Sequence, residues 1–300
     1  MVTQAFGKFT IDRVVESEGP FAPVSMLLPQ FDAGRLAAAG ADGWLRPQFL
    51  TADDTLVMSF QSFVIRRAGL TILVDGCVGN DKERPNRSSW HRRTSSDYLD
   101  RLSALGLSLN DIDVVLCTHL HADHVGWNTV LRDGRWVPTF PRARYLFART
   151  EYEFWERGHR QAVAHGGEAI NHGSFADSVL PVVEAGQAEL VGDGHELTPG
   201  VRIESVPGHT PGNSVIAVNG GGRRALLTGD VIHTPIQVAV PEWSSRFCED
   251  PTQSAESRHR LLEHVCGSGT ILWPAHFPSP TAGLVEESGG GRMRYRCLGC

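Results

Sequence analysis

The chain has 300 residues, room for one large domain or two small ones, and its 41% hydrophobic fraction can fill a core of that size. Its 28 Lys and Arg against 34 Asp and Glu leave a net charge of −6, which excludes the basic face that a nucleic-acid binder needs. No apolar run approaches the roughly 20 residues of a membrane helix, and residues 1–10 lack an apolar stretch of signal-peptide length. The expectation is a cytoplasmic protein with neither membrane nor nucleic-acid partner.

Taken in order, residues 9–16 alternate as a first strand does. Residues 19–29 hold three prolines among Phe21, Met26, Leu27 and Leu28, too interrupted for a helix. This segment belongs to an N-terminal arm over about residues 1–50 and reads either as core packing or as one wall of a pocket. Residues 36–40 make one or two helical turns. Strands over 55–65 and 70–74 are joined at Arg67-Ala68-Gly69. Residues 77–96 are long and polar, and the basic stretch 84–93 within them reads as a solvated loop. Ser96 is placed to cap a helix over 97–105, with Tyr98, Leu99, Leu102 and Leu105 on one face and Gly106 at its end. A strand over 113–118 follows. This β–α–β order predicts a mixed or parallel sheet flanked by helices.

Residues 126–206 make a second excursion, in which Trp127, Trp136, Phe140 and Trp155 could cover the loop that precedes it. Thr150-x-x-Glu153 reads as a capping box for a helix to about Arg160. His159, His165 and His172 read as surface residues. Residues 215–218 and 225–228 flank a glycine-rich hairpin turn, which lacks the Lys-Ser/Thr of a phosphate loop. Asp250-Pro251 opens a helix through Val265. Residues 286–300 form a turn and a short last strand. Cys77, Cys117 and Cys266 read as buried thiols, and Cys297-x-x-Cys300 lacks the further ligands of a structural zinc site. No linker divides the chain, so residues 1–300 read as a single domain.

The strand over 113–118 runs into His119-Leu120-His121-Ala122-Asp123-His124, three imidazoles and a carboxylate in six positions. The histidines fall at i, i+2 and i+5, a spacing that suits a turn folded around metal, and these are the ligands of zinc and its neighbours. One loop cannot complete a site. Three further apolar runs each deliver one such residue at their C-terminal end: His209 after 201–206, Asp230 after 225–229 and His276 after 270–275.

With these pieces the chain resembles the metallo-β-lactamase superfamily. The resemblance rests on Thr118-His119-Leu120-His121-Ala122-Asp123-His124-Val125-Gly126, Gly208-His209-Thr210-Pro211-Gly212, Thr228-Gly229-Asp230, Ala275-His276-Phe277-Pro278 and Leu73-Val74-Asp75-Gly76, over about residues 55–285. It implies an α/β fold, a four-layer αβ/βα sandwich of two mixed sheets with outer helices. It implies two divalent metal ions, zinc foremost. His119, His121 and His209 would hold the first, Asp123, His124 and His276 the second, and Asp230 would bridge them. Asp75 would stand behind the metals and accept a ligand histidine's free N–H.

The chemistry so implied is hydrolysis by a hydroxide between two metals, with Asp123 orienting or shuttling the proton. No Gly-x-Ser-x-Gly is present, which disfavours a serine hydrolase. The loop pattern is similar to quorum-quenching lactonases and organophosphate hydrolases, which implies a small, neutral, partly apolar ester-like substrate: a lactone, an ester or a phosphotriester. Hydrolytic dehalogenation of activated aromatics is the alternative; a nuclease or a redox diiron protein fits less well. Where those lactonases carry a tyrosine, three residues after the bridging aspartate, this chain has His233, either a catalytic donor to substrate or a packing residue. The only partner implied is the small-molecule substrate, with homodimerisation open.

Overall fold

A computed structural model describes residues 3–299. The chain forms two compact units, one from residues 1–16 and 60–193, the other from 17–59 and 194–300. Two long strands, Phe9–Pro23 and Thr55–Arg67, run covalently from one unit into the other.

The first unit is built on a seven-stranded mixed sheet in the order Gln4–Phe6, Phe9–Pro23, Thr55–Arg67, Leu70–Val74, Val114–Leu116, Arg144–Ala148, Ala188–Val191. Gln4–Phe6 with Phe9–Pro23, and Thr55–Arg67 with Leu70–Val74, pair antiparallel because tight turns join them, the second at Ala68-Gly69. From Leu70–Val74 onward every pair is parallel; helices Asp97–Ala104 and Arg149–His165 make two of the three crossovers, and residues 117–143 make the other. Val114–Leu116 is buried throughout, as a strand covered on both faces must be. Val64, Leu73, Val115, Tyr145 and Phe147 pack with Leu102, Trp127 and Trp155 in the core of this unit.

The second unit carries another seven-stranded mixed sheet in the order Glu196–Thr198, Val201–Ser205, Ser214–Gly220, Arg223–Gly229, Ile271–Pro274, Gly283–Glu287, Met293–Cys297. Arg223–Gly229 and Ile271–Pro274 pair in parallel, joined through helix Pro251–Val265. Asp250 caps that helix by accepting from the Gln253 N–H, and Pro251 stands in its first turn, as expected. Leu27 and Leu28 of the N-terminal arm are buried in the core of this unit with Leu226, Trp243 and Leu262, so here the arm is core packing.

Several local expectations need correction. The first strand is Gln4–Phe6, and the second runs on from Phe9 past Pro20 to Pro23. Val24–Leu27 makes one helical turn inside the proline-broken segment. Ser96 does not cap its helix; its hydroxyl donates to Asp100, and Ser95 accepts from the Asp97 N–H. The helix expected to open at Thr150 starts at Arg149 without a side-chain cap and runs to His165. Cys77 and Cys117 are buried, whereas Cys266 is partly exposed and Cys297 buried; Cys300 lies outside the described residues.

The largest correction concerns the basic stretch. Lys82 and Arg84 are fully buried. Arg84 makes a two-pronged pair with Asp177, at 2.6 and 2.9 Å, on the far excursion of the chain. Lys82 lies 3.6 Å from the centroid of the Trp136 ring and donates to Thr129 Oγ1 at 2.6 Å. A sequence shows the charges but not the carboxylate that receives them. No helix among the described residues is long and apolar enough to cross a membrane.

Candidate metal centre

In the first unit, sheet register positions the site. Val74 stands opposite Leu116 in the parallel ladder, so the chain leaves both strands at one level and Asp75 comes beside Thr118. Asp75 adopts a left-handed φ of 61° there. Its Oδ1 accepts from the Thr118 N–H at 2.7 Å, and its Oδ2 lies 2.9 Å from His124 Nδ1. A carboxylate can only accept, so His124 Nδ1 carries a proton and, when the ring is neutral, Nε2 holds the lone pair. This is the role the resemblance implied for Asp75.

His119 and His121 lie in the loop, with His119 Nε2 3.2 Å from His121 Nδ1. Residues Ala122–Val125 wind into a single helical turn that carries Asp123 and His124. Asp123 Oδ1 is 4.0 Å from His124 Nε2, and the Asp123 side chain, 15% exposed, is more open than that of His124 at 2%.

The second unit assembles its residues around Asp230. Gly229 stands opposite Pro274 in the parallel pair, so Asp230 and His276 follow adjacent strand ends. His276 Nε2 lies 3.1 Å from Asp230 Oδ1; His209 Nε2 and His233 Nε2 lie 3.3 and 3.2 Å from Oδ2. All four side chains are buried. His276 Nδ1 is 3.0 Å from the Ser59 carbonyl, which can only accept, so Nδ1 carries a proton and, when the ring is neutral, its Nε2 lone pair points at the Asp230 carboxylate. A lone pair and an anionic oxygen 3.1 Å apart repel unless a proton or a metal ion joins them, and a metal ion can draw on all the nitrogens facing this carboxylate at once. The donor set therefore fits a divalent metal ion.

His209 rests on a tightly built loop. A Cβ on Gly208, whose φ is 130°, would come within 2.3 Å of the Ser254 nitrogen, so only glycine fits there. The thiol of Cys248 lies 3.5 Å from His209 Nδ1. The His233 ring stacks on that of His276 at 6.0 Å and meets that of His209 edge-on at 4.8 Å.

The aromatics expected as a cover are mostly core. Trp127 stacks on Tyr98 at 5.1 Å and donates to Glu16 at 2.7 Å, and Phe140 is fully buried. Trp155 does approach the loop, with its ring 5.4 Å from that of His121. Sequence reasoning missed Ser59, Cys248, Glu151 and Glu16, none of which carries a motif. The described residues thus include His and Asp clusters that could hold a metal.

The profile of the Metallo-beta-lactamase superfamily matches residues 61–276. The chain belongs to that superfamily. Its two mixed sheets with flanking helices agree with the superfamily's αβ/βα class. The chain is 25% identical over 218 residues to a probable metallo-hydrolase of Mycobacterium tuberculosis (strain ATCC 25618 / H37Rv), covering 73% of this chain and 65% of that one. It is 27% identical over 176 residues to an N-acyl homoserine lactonase of Bacillus thuringiensis, covering 58% of this chain and 60% of that one. It therefore spans about 60–65% of the length of these two curated relatives. Among solved superfamily-like folds, AidC, a dizinc quorum-quenching lactonase in complex with a product, superposes with a TM-score of 0.79 at 18% identity, over 100% of this chain and 97% of that one.

Proposed function

We propose that the chain is a metal-dependent hydrolase of small, neutral, partly apolar ester-like substrates, lactones foremost, and that it binds two divalent ions, zinc foremost. The ligands proposed are those the family resemblance assigns: His119, His121 and His209; Asp123, His124 and His276; and Asp230 for both. The observation that carries this reading is the carboxylate of Asp230 with three imidazole nitrogens at 3.1–3.3 Å. Bound ions of this kind supply Lewis acidity and bring the pKa of water from about 15.7 to near 7.

The chain's own residues supply the rest. Asp75 and the Ser59 carbonyl fix the tautomers of His124 and His276. Asp123, the more open carboxylate of the loop, is suited to orient or move a proton. His233 is suited to donate to developing negative charge on the substrate. The substrate class is supported by the lactonase relative and by a net charge of −6, which repels polyanions.

The test is elemental analysis of gently purified protein, followed by a hydrolysis panel of lactones, aryl esters, thioesters, phosphotriesters and chlorinated aromatics. The expected result is two ions per chain, lactone turnover that rises with acyl length, and little dependence on salt. A persistent stoichiometry of one overturns the dinuclear reading, and a strong preference for RNA or polyphosphate overturns the substrate class.

A further inference from the structure

Between the loop histidines, Leu120 and His121 lie outside any strand or helix and Ala122 opens the short helical turn, and polar groups of this backbone are engaged by side chains from further along the chain. The Leu120 N–H donates to Glu151 Oε1 at 2.9 Å, and the same oxygen accepts from Trp155 Nε1 at 2.7 Å. The Ala122 N–H donates to Asn171 Oδ1 at 3.1 Å, while Asn171 Nδ2 donates to the Leu120 carbonyl at 2.7 Å. One carboxamide thus bridges the residues on either side of His121. It uses its acceptor and its donor at once, so neither aspartate nor a flipped amide could repeat the pattern.

The backbone beneath Asn171 is unusual. Asn171 and His172 both lie in the left-handed region, at φ 47° and 56°. Asparagine is among the few residues other than glycine that visit this region readily, so one side-chain type meets both demands. The conformation is held from outside. Arg84, paired with Asp177, donates through Nη1 to the His172 carbonyl at 2.9 Å. Strained backbone of this kind gathers where a site must be shaped.

We infer that Asn171 is a positioning residue, whose carboxamide sets the spacing of His119, His121 and Asp123 before any ion binds. The inference rests on the reading of this loop as metal-binding. It also gives part of the 126–206 excursion a role that its aromatics do not: it frames the loop.

The test uses the full chain and three variants, N171G, N171D and H172G. Glycine relaxes the left-handed backbone, so N171G removes the clamp without straining the fold. Two readouts are taken: amide hydrogen exchange at Ala122 in metal-free protein, and cobalt(II) titration followed by its visible d–d spectrum. In N171G, Ala122 exchange should speed at least about tenfold and cobalt affinity should fall on the order of 10–100-fold, the usual effect of losing a ligand's support. N171D keeps an acceptor for Ala122 but faces the Leu120 carbonyl with a second oxygen; its Ala122 amide should stay protected while cobalt affinity falls and the spectrum shifts. H172G should match the parent in both. Unchanged Ala122 exchange in N171G overturns the clamp, and so does an H172G that loses as much cobalt affinity as N171G. A parent that takes up no cobalt sinks the metal reading instead, and Ala122 exchange then still decides the clamp.

Discussion

In the first unit, loops around the His119–His124 segment are tied to a buried anion; in the second, the segment after Asp230 is tied to a buried cation. Glu16 accepts from the Val78 and Gly79 amides at 3.1 and 3.0 Å and from Trp127 Nε1 at 2.7 Å, with Arg93 at 3.0 Å as its counter-charge. Arg258 donates to the carbonyls of Val231, Pro241 and Trp243 at 3.1, 2.8 and 2.9 Å, and to Ser244 Oγ at 3.1 Å. Burial raises the Glu16 carboxyl above the usual range and lowers Arg258 to about 10. The sign of each hub follows from which backbone pole its loop turns inward. Residues 78–79 present N–H groups and need an acceptor, whereas residues 231–243 present carbonyls and need a donor. Each hub offsets its own desolvation through several hydrogen bonds at once, which a single surface pair could not do.

Substitutions can break or sharpen this contrast. The largest effect is expected at the centre of the second unit. Asp230→Ala leaves three imidazoles without their shared carboxylate, and metal content and hydrolytic activity should be lost together. Elemental analysis beside an activity assay checks it; a variant that retains two ions would show that the histidines suffice.

Next is the cationic hub. Arg258→Met should lower stability by roughly 2–6 kcal/mol, since the Val231 and Pro241 carbonyls each lose a donor at about 1–3 kcal/mol apiece, while Gln237 Nε2 still donates to the Trp243 carbonyl at 2.9 Å. Urea unfolding measures this, and a loss under about 1 kcal/mol would mean that water replaces the guanidinium.

His233→Ala tests whether the second unit also handles the proton. The variant should keep its metals and its fold but lose on the order of 10²–10³ in kcat. Parent-level turnover with the true substrate would make His233 structural.

The smallest effect concerns charge in the first unit. Burial lowers Lys82 to about 7, against about 10.4 in an unfolded chain. Between those values the unfolded state binds more protons, so the Lys82 contribution favours folding increasingly as pH rises from about 7 to 10. That contribution is lost as pH falls through 7. Lys82→Met should remove this slope, leaving the variant's stability, relative to the parent, better at pH 7 than at pH 9. Paired urea titrations at the two pH values decide it; parallel shifts at both would mean that Lys82 titrates normally.

Metal-ligand chemistry is a property of single side chains, and this much was legible in the sequence. His119, His121, Asp123 and His124 share one loop, so their clustering needs no fold to reveal it. His209, Asp230 and His276 could be read because each ends an apolar run, and strand ends are where such folds gather their sites. The parallel registers that bring Asp75 to His124, and Asp230 to His276, follow the same rule. What holds those side chains was not legible. Ser59 supports His276 from 217 residues away, Asn171 reaches Leu120 across 51, and Asp177 meets Arg84 across 93. A hydrogen bond exists only when two groups meet in space, and neither partner's identity announces the other. For the same reason Arg84 looked like a solvated charge. Only the tertiary structure, by bringing Asp177 to it, decided that it is buried.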